Sequence, residues 1–254
     1  MQIENSVAVI SGGASGLGEA STRCLVAKGA KVAIMDLDET RGKNLVEELG
    51  DSARFFKTNV TDEQSVQDAV DGTVKAFGAI HVAINCAGIA TPMKVIGKEG
   101  PLPIEAFNQV VQVNLIGTMN VVRLAAQKMF ANKPNEDGEI GVVINTASVA
   151  AFEGQIGQAA YASSKAAVAG LTLPIAREFA EYGIRVLTIA PGLFETPMLA
   201  ALPEKARIAL SQMMPFPKRL GYPKEYAMLV EQILTNPMLN GDTIRLDAAL
   251  RMSA

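Results

Sequence analysis

Tyr161 and Lys165 stand four residues apart at the start of an alanine-rich helical pattern. Ser148 lies thirteen residues before the tyrosine, just past the apolar run Val142-Val143-Ile144. A spacing of four places the phenol and the ammonium on one helical face, one turn apart. A free tyrosine has a pKa of about 10 and is a poor base at neutral pH. An ammonium beside it favours the phenolate and lowers that value. A serine hydroxyl delivered by a strand end can hold a substrate oxygen against the same phenol. Such a trio offers proton transfer to or from an alcohol or ketone oxygen. A Tyr-x-x-x-Lys pair alone is also what a half-exposed helix face shows, so its meaning depends on the elements around it.

Those elements alternate between strand and helix. Apolar strand patterns fall at Ser6–Ser11, Lys31–Met35, Arg54–Thr58, His81–Asn85, Val142–Ile144, Arg185–Ile189 and Asp242–Leu246. Helical periodicity covers Ser15–Lys28, Asp38–Leu49, Val66–Phe77, about Ile104–Phe130, the stretch after Gln158, and Pro223–Leu234. Continuous Val/Ile/Ala strands separated by amphipathic helices predict an α/β fold: one doubly wound, Rossmann-type domain with a seven-stranded parallel sheet and helices on both faces. The whole chain, 1–254, reads as one domain, with irregular segments at about 89–103 and 193–217 reading as substrate loops. Pro174 inside the Tyr161 helix should be accommodated by a local kink.

Composition narrows the function classes. At 254 residues, 49% apolar and 19% charged, the chain suits one well-packed domain. A net charge of -3 argues against a nucleic-acid surface and against a polybasic membrane patch. No apolar run approaches the ~18 residues needed to span a bilayer. Cys24 and Cys86 form no disulfide framework and lack zinc spacing, and His81 is the single histidine, so neither a metal site nor a Ser-His-Asp triad is expected. The first strand begins so early that no targeting peptide fits, which points to a cytoplasm-like compartment.

Ser11-Gly-Gly-Ala-Ser-Gly-Leu-Gly18 lies between the first strand and the first helix. Glycines there let the backbone approach a pyrophosphate while the helix N-terminus presents free N–H groups. Asp36 ends the second strand, where a carboxylate accepts from adenosine ribose hydroxyls. A 2′-phosphate would meet a like charge, so the expected cofactor is NAD rather than NADP. Asn85-Cys-Ala-Gly88 follows the fourth strand with residues small enough for an adenosine to lie against. Asn114 sits within a helical run, where an asparagine is unfavourable unless it bonds something specific.

These pieces, with Pro191-Gly192 after the sixth strand, resemble the short-chain dehydrogenase/reductase family along essentially the whole chain. The resemblance implies Tyr161 as catalytic acid/base, with Lys165 lowering its pKa and holding the nicotinamide ribose. It implies Ser148 as the group orienting the substrate oxygen and Asn114 as holder of a relay water. It places Gly12, Ser15, Gly16, Leu17, Gly18, Asp36, Asn59, Val60, Cys86, Ala87 and Gly88 along the cofactor, with Pro191, Gly192, Phe194 and Thr196 at its nicotinamide end. Asn59 stands where many members have aspartate; its amide oxygen is expected to accept from the adenine amino group.

Asn145–Gln155 with Gln158–Tyr161, Thr172–Arg177, Ile189–Phe194, Leu202–Lys205, Pro215–Gly221 and Ile244–Asp247 are similar to a branch of that family, the type 2 3-hydroxyacyl-CoA dehydrogenases. That likeness implies a short-chain, sometimes branched, acyl-CoA substrate, with Gln155 or Gln158 near the thioester and Lys94 and Lys98 as candidate partners of CoA phosphates. It also implies a homotetramer built on the long helices beginning near Ile104 and Gln158, and the mitochondrial matrix if the source is eukaryotic. A 3-oxoacyl-carrier-protein reductase, a hydroxysteroid or other secondary-alcohol dehydrogenase, and a non-enzymatic dinucleotide-binding regulator are the alternatives. The first of these generally takes NADPH and needs a basic face, which neither Asp36 nor the acidic composition favours.

Overall fold

The runs of valine, isoleucine and alanine become four strands in which every residue is buried: β1 (Val7–Ser11), β4 (Val82–Asn85), β7 (Gly141–Thr146) and β8 (Ile184–Pro191). They appear in a computed structural model that describes residues 1–98, 100–200 and 204–253. With β2 (Lys31–Asp36), β3 (Ala53–Lys57) and β9 (Thr243–Leu246) they form one parallel sheet of order β3-β2-β1-β4-β7-β8-β9. Strands covered on both faces need no polar side, which explains their lack of alternation. Period two still sorts them. Ala8, Ile10, Val82, Ile84, Val142 and Ile144 face one core, and Val9, Ala83 and Val143 face the other.

The first core is closed by α1 (Gly16–Ala27), α2 (Glu39–Leu49) and α9 (Pro223–Thr235), the second by α3 (Glu63–Phe77) and the helices that follow it. Asp38 caps α2 by accepting from the Arg41 N–H at 3.0 Å, and Asp62 caps α3 through the Gln64 and Ser65 N–H groups. His81 is structural: its Nδ1 accepts from the Val7 N–H at 3.1 Å. No helix among the described residues is long and apolar enough to cross a membrane.

The structure refines three sequence expectations. The segment after β4 contains a short antiparallel ribbon, β5 (Ile96–Gly97) with β6 (Gly100–Pro101). The single long helix divides into α4 (Ile104–Val111) and α5 (Gly117–Met129), joined by a π-turn over Gln112–Ile116. The helix bearing Tyr161, α6 (Ala159–Phe179), is an unbroken helical span past Pro174. In the second irregular region, α7 (Pro197–Ala200) and α8 (Glu204–Gln212) are helical; Leu202 and Pro203, named above for their family likeness, lie outside the described residues.

After β9 the backbone turns through two left-handed residues, Ala248 (φ 52°) and Ala249 (φ 63°). A Cβ in that region clashes with the following carbonyl at a cost of about 1–2 kcal/mol per residue. Ala248→Gly removes that clash at one position and is expected to stabilise the chain by roughly 0.5–1 kcal/mol, read as a higher thermal midpoint.

Candidate active site

Parallel pairing brings the carboxyl ends of β1, β2, β4, β7 and β8 to one edge of the sheet. Three of these ends are tied by side chains: Ser11 Oγ donates to Asn85 Oδ1 (3.2 Å), and Asn85 Nδ2 donates to Asn145 Oδ1 (2.9 Å). Asn85 thus belongs to the sheet. Above this chain the glycine-rich turn packs against the turn after β4. A Cβ on Gly12, which has φ 66°, would lie 2.7 Å from the Ala87 nitrogen, and one on Gly18 would overlap the Gly12 carbonyl. Ser15 precedes α1 in extended geometry with its hydroxyl making no capping bond. A Cβ on Gly16 would touch Thr196 and Pro197 at 3.4 Å, so the segment after β8 arches over the start of α1. Glycines forced by close backbone approach, a free hydroxyl and a helix N-terminus make a cradle that fits a dinucleotide pyrophosphate.

Asp36 lies beside this cradle. Its Oδ2 accepts from the Ala14 N–H at 3.1 Å and its Oδ1 from the Asp38 N–H at 3.0 Å, which fixes the carboxylate at the strand end. Asn59 shapes the turn after β3. Its Oδ1 accepts from both the N–H (3.1 Å) and the hydroxyl (2.9 Å) of Thr61, so the oxygen expected at an adenine amino group is engaged in its own turn. The Val60 carbonyl accepts from Asn120 Nδ2 at 2.9 Å, pinning that turn to α5.

Ser148, Tyr161 and Lys165 meet where β7 opens into α6. Ser148 is buried, and its Oγ accepts from the Ala150 N–H at 3.1 Å. Lys165 is 5% exposed; its Nζ donates to the Thr146 carbonyl at 2.7 Å and lies 5.9 Å from the Tyr161 ring centroid. Burial pushes the Lys165 ammonium down to about 8. The Tyr161 phenol is pushed upward from its ordinary value by burial, while the Ser148 hydroxyl pulls the other way. In this geometry the Lys165 ammonium is directed at the Thr146 backbone carbonyl.

Asn114 is fully buried in the π-turn, with its amide entirely engaged. Oδ1 accepts from the Ile89 N–H (2.8 Å), and Nδ2 donates to the Ile89 carbonyl and to Ser164 Oγ (3.0 Å each). Its own carbonyl accepts from Thr118 Oγ1 at 2.8 Å. A Cβ on Gly88 would lie 3.2 Å from Asn114 Oδ1 and 3.4 Å from Lys165 Nζ, so both groups close on the same glycine.

Other residues expected at the site have these surroundings. Phe194 is drawn into the core and its ring covers Gly221. The Cys86 sulfur sits between Thr146 Oγ1 (3.6 Å) and the Tyr226 hydroxyl (3.7 Å). Gln158 Oε1 accepts from the Gln155 N–H at 3.0 Å, and Gln155 Nε2 donates to the Ser253 carbonyl at 2.9 Å. Lys94 and Lys98 are exposed. Pro191 ends β8, and the Gly192 N–H donates to the Leu246 carbonyl at 2.9 Å. Sequence reasoning missed Thr146, Ser164 and Tyr226. The fully buried Tyr226 shares a 2.7 Å bond with Thr146 Oγ1, behind the carbonyl that holds Lys165. In the sequence Tyr226 is one more residue on an amphipathic helix.

Comparison with known proteins accords with this architecture. The family model for short chain dehydrogenase matches residues 6–207, and the chain belongs to that family. It is 53% identical over 252 residues to the 3-hydroxyacyl-CoA dehydrogenase type-2 of Drosophila melanogaster, covering 98% of this chain and 99% of that one. The crystal structure of 3-hydroxyacyl-CoA dehydrogenase type-2 from Mycobacterium avium superposes with a TM-score of 0.95 at 43% identity, over 99% of this chain and 98% of that one. The 3-ketoacyl-(acyl-carrier-protein) reductase from Brucella melitensis, solved with NADH, gives 0.88 at 28% identity over 97% and 98%.

The depressed Lys165 value has a consequence for stability. The unfolded chain keeps this proton up to an ordinary value of 10.5, whereas the folded protein releases it near 8. The unfolded state therefore binds more protons between those values, and stability rises with pH across that window. Lys165→Met is expected to be more stable than the parent at pH 7 by about 1–3 kcal/mol in chemical denaturation. The gain should shrink as pH climbs from 8 to 10.5. A variant less stable than the parent at pH 7 would contradict the burial account.

Proposed function

We propose that this chain is an NAD-dependent oxidoreductase that interconverts short-chain 3-hydroxyacyl-CoA, branched chains included, and 3-oxoacyl-CoA. The observation that carries the reading is the meeting of Ser148, Tyr161 and Lys165 beside a dinucleotide-shaped cradle. The chain that builds this site matches curated 3-hydroxyacyl-CoA dehydrogenases of type 2 over nearly its full length. Two further observations support it: the Asp36 carboxylate is held by two backbone N–H groups at the ribose end of the cradle, and a family relative was solved with NADH.

In the proposed mechanism Gly12 and Ser15–Gly18 hold the pyrophosphate, and Asp36 accepts from the adenosine ribose hydroxyls. Val60 and Cys86–Gly88 flank the adenosine side; Pro191, Gly192 and Thr196 stand at the nicotinamide end. When bound, NAD supplies the acceptor for the hydride released from carbon 3. The residues of the chain manage the proton. Ser148 and Tyr161 hydrogen-bond the 3-hydroxyl, and the Tyr161 oxygen takes its proton as carbon 3 is oxidised. In the reductive direction Tyr161 returns the proton to the developing alkoxide while Ser148 donates to the same oxygen. The Lys165 ammonium supplies the nearby positive charge that makes the phenolate accessible. Asn114 fixes the backbone of Ile89 and the π-turn beside Lys165, where a relay water would find the Asn114 carbonyl.

Loops 89–103 and 193–217 would form the acyl cleft, with Gln155 and Gln158 at its thioester side. Assembly as a homotetramer is part of the same reading, supported by Ile104, Ile116 and Leu173, which are large apolar side chains left exposed on α4, the π-turn and α6.

Initial rates with acetoacetyl-CoA test the function directly. Turnover with NADH should exceed that with NADPH by at least about tenfold in kcat/KM, because a 2′-phosphate meets the Asp36 carboxylate. A tenfold preference for NADPH would overturn the Asp36 assignment. Tyr161→Phe should lower kcat by about 10²–10⁴-fold with little change in dinucleotide affinity. Near-parental turnover of that variant would remove Tyr161 from the mechanism.

A further inference from the structure

Between Ser148 and Tyr161 the chain passes through Phe152–Gln158, which carries Gln155 and Gln158 and so, on the reading above, forms the thioester wall of the acyl cleft. This wall is fastened from outside by β9 and the residues that follow it. Glu153 is the hub. Its carboxylate accepts from Arg245 Nη1 (2.8 Å) and Nη2 (3.2 Å) and from the Met252 N–H (3.0 Å), and it pairs with Arg251 Nε at 3.3 Å. Asp247 makes the second anchor, accepting from Arg245 Nε (2.6 Å), Arg251 Nη1 (3.2 Å) and the Ala249 N–H (3.0 Å). The Arg245 guanidinium also lies 5.4 Å from the Phe152 ring centroid, and Gln155 Nε2 reaches the Ser253 carbonyl at 2.9 Å.

The network also reaches the turn after β8, placed above at the nicotinamide end. A Cβ on Gly192 would lie 3.0 Å from the Asp247 Cα, so the turn after β8 rests on the same anchor. Glu153 and Asp247 retain 20% and 8% side-chain exposure, where a carboxylate needs a partner. Planar guanidinium groups supply bidentate, directional contacts that fix the spacing of two segments as well as neutralising charge. Leu250, 1% exposed, plugs the following segment into the core. Consecutive left-handed alanines are held in place by these contacts.

We propose that Asp247–Ser253 acts as a strap, with Glu153 and Arg245 as positioning residues. It holds Phe152–Gln158 in the conformation that receives the acyl group and so sets substrate affinity while leaving the proton-transfer step unchanged. The inference rests on the reading of this segment as the acyl wall.

The test uses the full chain and two substitutions. Glu153→Ala removes the hub; Arg251→Ala removes a 61% exposed partner of both carboxylates and leaves the Arg245 contacts in place. Hydrogen exchange of the Phe152–Gln158 amides reads the strap without reference to activity. Steady-state kinetics with acetoacetyl-CoA and a direct NADH titration read its effect on the site.

In Glu153→Ala, exchange of these amides and KM should each rise about tenfold, with kcat and the NADH Kd within about twofold of the parent. Arg251→Ala should shift exchange and KM in the same direction by about two- to threefold, and it remains informative should Glu153→Ala fail to fold. Unchanged exchange in a folded variant overturns the strap. Faster exchange with unchanged KM, or a fall in kcat at constant KM, overturns its role in substrate affinity. If the parent turns over no 3-oxoacyl-CoA, the proposed function fails, and the exchange measurement still decides the strap.

Discussion

Parallel pairing of the seven strands of the main sheet is the constraint from which the site follows. Parallel neighbours require a crossover, and the crossover helices cover both faces of the sheet. Polar side chains are few along the central strands and gather mostly where the strands end. The register aligns Ser11 with Met35 and Asn85, and Asn85 with Asn145, so chemistry scattered across the chain arrives on one line. The Ser11–Asn85–Asn145 chain lets these ends be polar and still buried. The chain order turns back at β1, with β2 on one side and β4 on the other, which opens the crevice that a dinucleotide fits.

Into this edge the fold inserts a charge that opposes its own stability. Lys165 is buried, its ammonium value falls to about 8, and the Thr146 carbonyl is its single hydrogen-bond partner among the described residues. Holding that carbonyl in place involves a second layer. Thr146 bonds Tyr226 from α9, while Asn114 in the π-turn bonds Ile89 and Ser164 next to the lysine. A π-turn changes the helical phase by adding a residue to one turn, and here it accompanies the inward position of Asn114 toward Gly88. Rigid neighbours of this kind are what proton transfer between closely placed groups requires.

The segment Phe152–Gln158 is held by different physics from the strand ends. The strand ends are fixed by the sheet and by buried hydrogen bonds. Phe152–Gln158 is secured by ion pairs to Arg245 of β9 and to Arg251 beyond it, and the Met93 N–H donates to the Gly157 carbonyl at 2.8 Å. Partly exposed ion pairs are sensitive to single substitutions and to salt, whereas the buried strand ends are not.

How much was legible beforehand follows from range. Local patterns determined the seven strands, the helices, the glycine-rich turn and the Ser148–Tyr161–Lys165 trio. Each depends on residues a few positions apart or on one strand followed by one helix. The π-turn at Asn114 was invisible, because an extra residue in one turn leaves apolar periodicity nearly unchanged on both sides. Tertiary structure alone decided that Asn59 turns its oxygen to Thr61, that Phe194 sinks into the core, that Lys165 points at Thr146, and that Arg245 reaches Glu153 across 92 positions. A side chain's partner is chosen by what the fold brings near it. Residue type sets what a group can do, and only packing sets what it touches.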